Sequence, residues 1–395
     1  VALPPPLVRS YRDGSGRTES SLLAFHDGRP VDPRGAALLI GYGYLAGRRT
    51  MLDGVHAAVP SWEIEAPEVL PADLDPEARA DRLWSLLLGA VAEVTARCAR
   101  VRTTLSGGLD SRAVAAALAA LAPAGASAGT FGDPDCDDLP VARKVARALG
   151  LPHEVTEFGP DAALRHEARV WRATDGAGGP AAAPGASTDE RWSDACDVLL
   201  SGTSGDVIWG ASVRPGPSPS RRLRSLGVAA PEPSWDEEIP EPPTWASRAG
   251  ATAWKNLWTR QAGGTWGGAR SRLAFTPVEP VLWHEPLLSF CLALGDDDRR
   301  DRRLVRRMLA RHAAAVSVEA VPLSPRGPVH DLDRAMRGEA WTEELDRWLT
   351  VTDFGAVGLK PNGVRRLVAK IRAGRNRSGS LSRVRALARW APPSI

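Results

Sequence analysis

At 395 residues the chain is long enough for one large core and has room for two domains. Apolar residues make up 43% and charged residues 25%, an ordinary globular balance, and no apolar run reaches the roughly 18 residues of a membrane-spanning helix. A net charge of +3 defines no partner by itself, and the scattered cysteines Cys98, Cys136, Cys196 and Cys291 lack the C-x-x-C spacing of a zinc site or a disulfide framework.

Val1-Ala2-Leu3-Pro4-Pro5-Pro6 shows no charged stretch followed by an apolar one, so a signal peptide is not expected. The expected location is cytoplasmic, with reduced, buried thiols. The cations are nearly all arginine; Lys144, Lys255, Lys360 and Lys370 are the only lysines. Together with the abundant Ala, Gly and Pro, this reads as a compositional bias rather than a nucleic-acid footprint.

Residues 1–20 read as loop, and 21–60 hold a short apolar stretch too small for a domain. Helical spacing of Leu83, Leu87, Val91 and Val94 predicts a long helix over 75–98. Strand and helix then alternate: strand 101–105, helix 111–121, strand 127–131, helix 139–149, strand 154–158, helix 160–174. A Gly/Ala/Pro loop covers 175–187, and 198–200 reads as a buried strand. Such alternation predicts an α/β fold, a parallel sheet covered by helices. Prolines over 211–250 predict a long loop, and 251–395 is mostly helical in pattern. The expected division is a short N-terminal segment, 1–70, and one domain, 71–395, with its core at about 99–210 and a mostly helical lobe at about 251–395.

Leu105-Ser106-Gly107-Gly108-Leu109-Asp110-Ser111 follows a strand and opens a helix. Two glycines allow a tight turn that brings N–H groups close to a ligand. The helix N-terminus adds unpaired donors and a positive dipole end, and Ser106 and Ser111 add hydroxyls. The result is an anion nest suited to pyrophosphate. Asp110 beside phosphate is repulsive unless a hard cation such as Mg²⁺ lies between them. The lysine of a Walker A loop is absent. A second small-residue turn with an acid, Ser201-Gly202-Thr203-Ser204-Gly205-Asp206, ends the 198–200 strand. Carboxylates at two strand ends suit one Mg²⁺ bridging ATP phosphates, with Asp110 and Asp206 as its ligands.

The first motif resembles the PP-loop of ATP pyrophosphatases, which cleave ATP between its α- and β-phosphates. The pair resembles the synthetase domain of the asparagine synthetase family, with its S-G-G-L-D-S and S-G-x-G-A-D-E-x-x-G-G elements; lactam- and lasso-peptide-forming enzymes are relatives. The resemblance runs over about 40–395. It implies an adenine nucleotide alpha hydrolase-like fold that binds ATP through Leu105, Ser106, Gly107, Gly108, Asp110, Ser111, Ser201 and Gly202, with Thr130 and Phe131 at the strand end that touches adenine and ribose.

Departures narrow the expectation. The family's N-terminal glutaminase is not expected here, so nitrogen comes from ammonia, a substrate amine or a partner protein. Thr203 stands where asparagine synthetases carry an acid, and Trp283 replaces the aspartate of P-F-L-D. An ammonium group left unpaired in a partly buried pocket costs several kcal/mol, which argues against aspartate as substrate. By the resemblance, Glu279 matches the carboxylate of the β-lactam-forming relatives. The family's transition-state lysine falls nearest Arg326, with Lys360 as the alternative.

Two further features carry weaker signals. The run Asp296-Asp297-Asp298-Arg299-Arg300-Asp301-Arg302-Arg303 reads as a solvated helix start, where the family places a basic helix near the phosphates. Trp235, Trp245, Trp254, Trp258 and Trp266 hint at an apolar substrate surface. The expected activity is adenylation of a small-molecule or peptide carboxylate and transfer to an amine, in natural-product or peptide maturation. The rivals are ammonia-dependent amide synthesis, RNA thiolation, which lacks paired cysteines here, and a binding-only pseudoenzyme.

Overall fold

The computed structural model describes residues 7, 10–26, 28–45, 47–58, 61–121, 124–159, 161–185, 191–210, 239–265, 270, 276–325 and 330–391. Near the start, β1 (Tyr11–Asp13) pairs antiparallel with β2 (Thr18–Glu19) and with β3 (Val55–Ala57). Between β2 and β3, α1 (Pro33–Gly41) starts on Asp32, whose carboxylate accepts from the Arg34 N–H. The long helix α2 (Pro76–Thr95) is capped by Asp75, which accepts from the N–H groups of Glu77 and Ala78. Its expected stripe of Leu83, Leu87, Val91 and Val94 is buried.

The alternation then unfolds as the periodicity predicts: β4 (Val101–Thr104), α3 (Leu109–Leu121), β5 (Ala126–Gly132), α4 (Asp138–Leu149), β6 (His153–Glu157), α5 (Ala162–Ala173) and β7 (Val198–Leu200). A one-turn helix, α6 (Gly205–Ile208), follows β7, and α7 (Arg248–Asn256) precedes the edge strand β8 (Val278–Glu279). Helix α3 starts two residues earlier than the sequence suggested. Leu109 is buried and joins its first turn, which puts Asp110 at the positive end of the helix dipole. Part of the expected 175–187 loop is a 3₁₀ turn, Pro180–Gly185. Most of the expected 211–250 loop lies outside the described residues.

The five strands are parallel, in the order β6-β5-β4-β7-β8. The chain winds outward from β4 through β5 to β6, then returns to the other side of β4 for β7. The reversal makes β4 and β7 neighbours at a topological switch point, where the loops leaving their carboxyl ends diverge and open a crevice for ligands.

The C-terminal part is helical: α8 (Glu285–Ala293), α9 (Asp296–Arg299), α10 (Arg303–His312), α11 (Leu332–Ala335), α12 (Glu339–Val351), α13 (Pro361–Arg372) and α14 (Ser378–Ala388). Two hydrophobic cores divide the molecule. One joins the parallel sheet to the helices up to Val321. The other joins the N-terminal strands and α1 to residues from Leu332 to Trp390. The boundary thus falls inside the 251–395 segment. Buried polar bonds stitch the second core to α5 and to the turn that follows it. Arg385 donates through Nε to Glu167 Oε1 at 2.7 Å, and Tyr11 Oη donates to Asp175 Oδ2 at 2.7 Å.

The tryptophans correct one expectation. Trp254, Trp258 and Trp283 are buried, and Trp62 stacks on Trp254 and Trp283 with ring centroids 5.6 and 6.3 Å apart. Trp283 therefore fills the core instead of facing a substrate, because a large flat ring gains most by full burial against other rings. Trp235 and Trp266 lie outside the described residues. Among the described residues no helix is long and apolar enough to cross a membrane.

Candidate active site

The loop after β4 is organised by its own serines. Ser106 N–H donates to Ser111 Oγ at 3.0 Å, the two hydroxyls lie 2.9 Å apart, and Gly108 N–H donates to Ser106 Oγ at 3.1 Å. Gly107 N–H donates to Asp138 Oδ1 at 3.1 Å, and Ser324 Oγ donates to the same oxygen at 2.5 Å. A Cβ on Gly107 would collide with the Ser324 side chain and come within 2.8 Å of that oxygen, so only glycine fits there. Below the loop, the buried Arg112 guanidinium donates to the carbonyls of Val316, Ser317 and Val321. That knot ties the segment bearing Ser324 to α3, the helix that follows the loop.

The turn after β7 meets the loop directly. A Cβ on Gly205 would lie 2.5 Å from Asp110 Cγ, and one on Gly202 would lie 2.9 Å from the Asp110 carbonyl carbon. The two expected acids are thus brought together. Asp110 Oδ1 accepts from Trp209 Nε1 at 2.8 Å and sits 3.4 Å from Arg302 Nη1. Its side chain is 22% exposed, yet burial pushes its carboxyl above the usual range and Asp206 adds to the rise, while Arg302 and Trp209 oppose it. Asp206 is more open and lies 3.9 Å from Arg260 Nη1.

A divalent ion fits this donor set. Among the described residues no three His, Cys, Asp or Glu side chains converge. Mg²⁺, however, typically takes one or two carboxylates and completes its shell with substrate phosphates and water. A crowded, electrostatically strained Asp110 beside a second carboxylate is the environment such an ion relieves. Asp110 and Asp206 would hold it.

The other expected residues are placed less uniformly. The Ser201 and Thr203 hydroxyls are 2.5 Å apart, and Thr203 N–H donates to Ser201 Oγ. The buried Thr130 hydroxyl donates to the Leu105 carbonyl at 2.6 Å and lies 2.8 Å from His153 Nε2, so it braces the loop from behind. Phe131 packs between Phe158 and Trp192. Glu279 stands opposite Leu200 on the edge strand, with its carboxylate 2.6 Å from Arg97. Burial raises its carboxyl and Arg97 counters. Lys360 is an exposed residue at the start of α13, in the part of the chain that builds the second core. Arg326 lies outside the described residues.

Two guanidinium groups at the carboxylates come from distant segments. Arg302 belongs to the charge run read as a solvated helix start, where the family resemblance places a basic helix near the phosphates. It and Asp301 are left-handed, with φ of 55° and 51°, which aims Arg302 back at Asp110. Arg260 gave no sequence signal, because nothing in a window around it marks a π-helical turn. No curated protein matches the chain. Residues 82–321, more than half of the chain and including both acid-bearing turns, match the asparagine synthase family, and the chain belongs to that family of ATP-dependent amide-bond-forming ligases.

Proposed function

We propose that this chain adenylates a substrate carboxylate and passes the acyl group to an amine in the maturation of a natural product or peptide, as in lactam or macrolactam formation. The observation that carries the reading is the meeting of Asp110 and Asp206 across the β4–β7 switch point, directly beside a loop built for phosphate. A substrate carboxylate oxygen attacks the α-phosphorus of ATP and the α–β bridging bond breaks. The products are an acyl-adenylate and pyrophosphate. The amine nitrogen then attacks the acyl carbon, AMP leaves, and the amine gives up a proton.

When bound, Mg²⁺ supplies charge neutralisation for the phosphate oxygens. The chain's own residues do the rest by positioning. The positive N-terminal end of α3 and the serine hydroxyls orient the phosphates, and Arg302 offsets their charge. Glu279 takes the amine's proton in this reading, and the burial that raises its carboxyl favours proton uptake. Arg326 or Lys360 supplies the remaining cation. Thr203, engaged with Ser201, offers no carboxylate to an ammonium group, which favours coupling to a substrate amine over aspartate amidation by ammonia.

The test is pyrophosphate release with a panel of N-acylated amino acids and short peptides. Stimulation by at least one carboxylate, lost in Asp110→Asn, is the expected result. If none stimulates release and Asp110→Asn alters only nucleotide binding, the chain is a binding protein. Glu279→Gln should slow amide formation more than pyrophosphate release.

A further inference from the structure

The one-turn helix α6 meets Asp110 through a single oxygen. Gly205, its first residue, carries no side chain, and a Cβ there would lie 2.6 Å from Asp110 Oδ1. Trp209, which caps its far end, donates from Nε1 to that same oxygen at 2.8 Å. Asp206 lies between the two in the same turn. Arg302 Nη1 also faces Oδ1, at the longer distance of 3.4 Å. Among the described residues no hydrogen bond or ion pair reaches Asp110 Oδ2.

Trp209 is held where it stands. Its side chain is fully buried in the first core. The buried Arg299 guanidinium donates to the carbonyls of Val207 and Gly210, on either side of it in the chain. A Cβ on Gly210 would fall 2.2 Å from the Asp206 carbonyl oxygen, so the backbone folds back tightly just after the indole. An indole N–H only donates, and a packed ring fixes its direction. The ring cannot follow the carboxylate, so the carboxylate presents Oδ1 to the ring.

We propose that Trp209 is a positioning residue that makes Asp110 a one-oxygen ligand and thereby selects Mg²⁺ over Ca²⁺ at the nucleotide. The proposal rests on the reading of Asp110 and Asp206 as the cation's ligands and deepens it. With Oδ1 committed to the indole, Oδ2 alone is left for a cation. Mg²⁺ demands a near-ideal octahedron, which the narrow bite of a carboxylate bound through both oxygens would strain. Ca²⁺ is larger, takes more oxygens in a looser shell, and readily accepts both oxygens of one carboxylate. An aspartate free to turn would offer it both. A side chain that never touches the ion can set its affinity in this way, by orienting the group that does.

The test, on the full chain, is the calorimetric affinity for α,β-methylene-ATP in saturating Mg²⁺ and in saturating Ca²⁺. The parent should bind the Mg²⁺ form about tenfold more tightly, and Trp209→Phe should bring the two forms within about twofold of each other. The smaller ring leaves a gap in the core, so position 209 is also filled with benzothienylalanine, which keeps the indole's shape and lacks the N–H donor. It should give the same collapse of the ratio with the parent's thermal midpoint. Arg302→Ala should weaken both forms together and leave their ratio unchanged. A ratio that survives both changes at position 209, or that is lost in Arg302→Ala instead, overturns the proposal, as does a parent that binds both forms equally. A parent that binds neither form is a distinct result: it removes the cation-site reading of the two acids, and the proposal with it.

Discussion

The two halves of the site are held in different ways. The loop after β4 is closed largely by its own residues: Ser106, Gly108 and Ser111 bond to one another, while Asp138 takes the Gly107 N–H and Arg112 locks the 316–321 segment down. The turn after β7 is held mostly from outside. Gln261 fixes Ser204, and the buried Arg299 donates to the carbonyls of Val207 and Gly210. In the proposed reading the phosphate chain is the same in every reaction of this type, which suits a loop closed largely by its own residues. The acyl substrate would vary from enzyme to enzyme, which suits a turn whose braces come from distant side chains.

The largest effect is expected at the loop's acid. Asp110→Asn should lower turnover on the order of 100- to 1,000-fold, as removal of a preorganised charge does. The same variant should be more stable than the parent at pH 7–8. The folded protein raises this carboxyl, so it favours the neutral form and the ionised group costs stability above its folded pKa. That cost fades as pH falls through the folded pKa toward the ordinary carboxylate range. The stability gained by Asp110→Asn should therefore shrink on acidification, read as converging thermal midpoints.

Gly205→Ala attacks the contact between the halves. Its Cβ would meet the Asp110 side chain, with Cγ at 2.5 Å, Oδ1 at 2.6 Å and Cβ at 2.8 Å. A stability loss of about 1–3 kcal/mol is expected, the usual cost of overpacking. Turnover should fall more than nucleotide affinity, since the acids move apart while the loop stays closed. Arg112→Met tests the loop's own clamp. It leaves buried carbonyls near Val316 and Val321 without donors, at about 1–3 kcal/mol. Here nucleotide KM should rise and acyl-substrate KM should hold.

The same asymmetry explains what the sequence revealed. The PP-loop lies within seven consecutive residues, so glycines, serines, acid and flanking apolar runs could be read together. The parallel sheet was equally legible, because each strand–helix unit has its own hydrophobic period. Long-range pairing was not legible. Arg260 reaches Asp206 across 54 positions and Arg302 reaches Asp110 across 192, and no local pattern encodes either. The second core was hidden for the same reason, since it joins residues 11–57 to residues 332–390. Trp283 misled because substitution within a motif marks a changed environment without saying which way the ring points.

The smallest effect, and the sharpest discriminator, is expected at Ser204. Its backbone is left-handed, with φ of 75°. Ser204→Gly relieves that conformation, a gain of about 1 kcal/mol. It also removes the hydroxyl that Gln261 accepts, leaving a fully buried amide with no partner at either end, at about 1–3 kcal/mol. The second term is the larger, so a net loss of about 1 kcal/mol and a thermal midpoint roughly 2 °C lower are expected. The π turn then loses its index against the acid's turn, so acyl-substrate KM should rise several-fold while nucleotide KM stays put. A Ser204→Gly protein more stable than the parent, with both KM values unchanged, would mean that Gln261 does not hold this turn and that the two halves are organised alike.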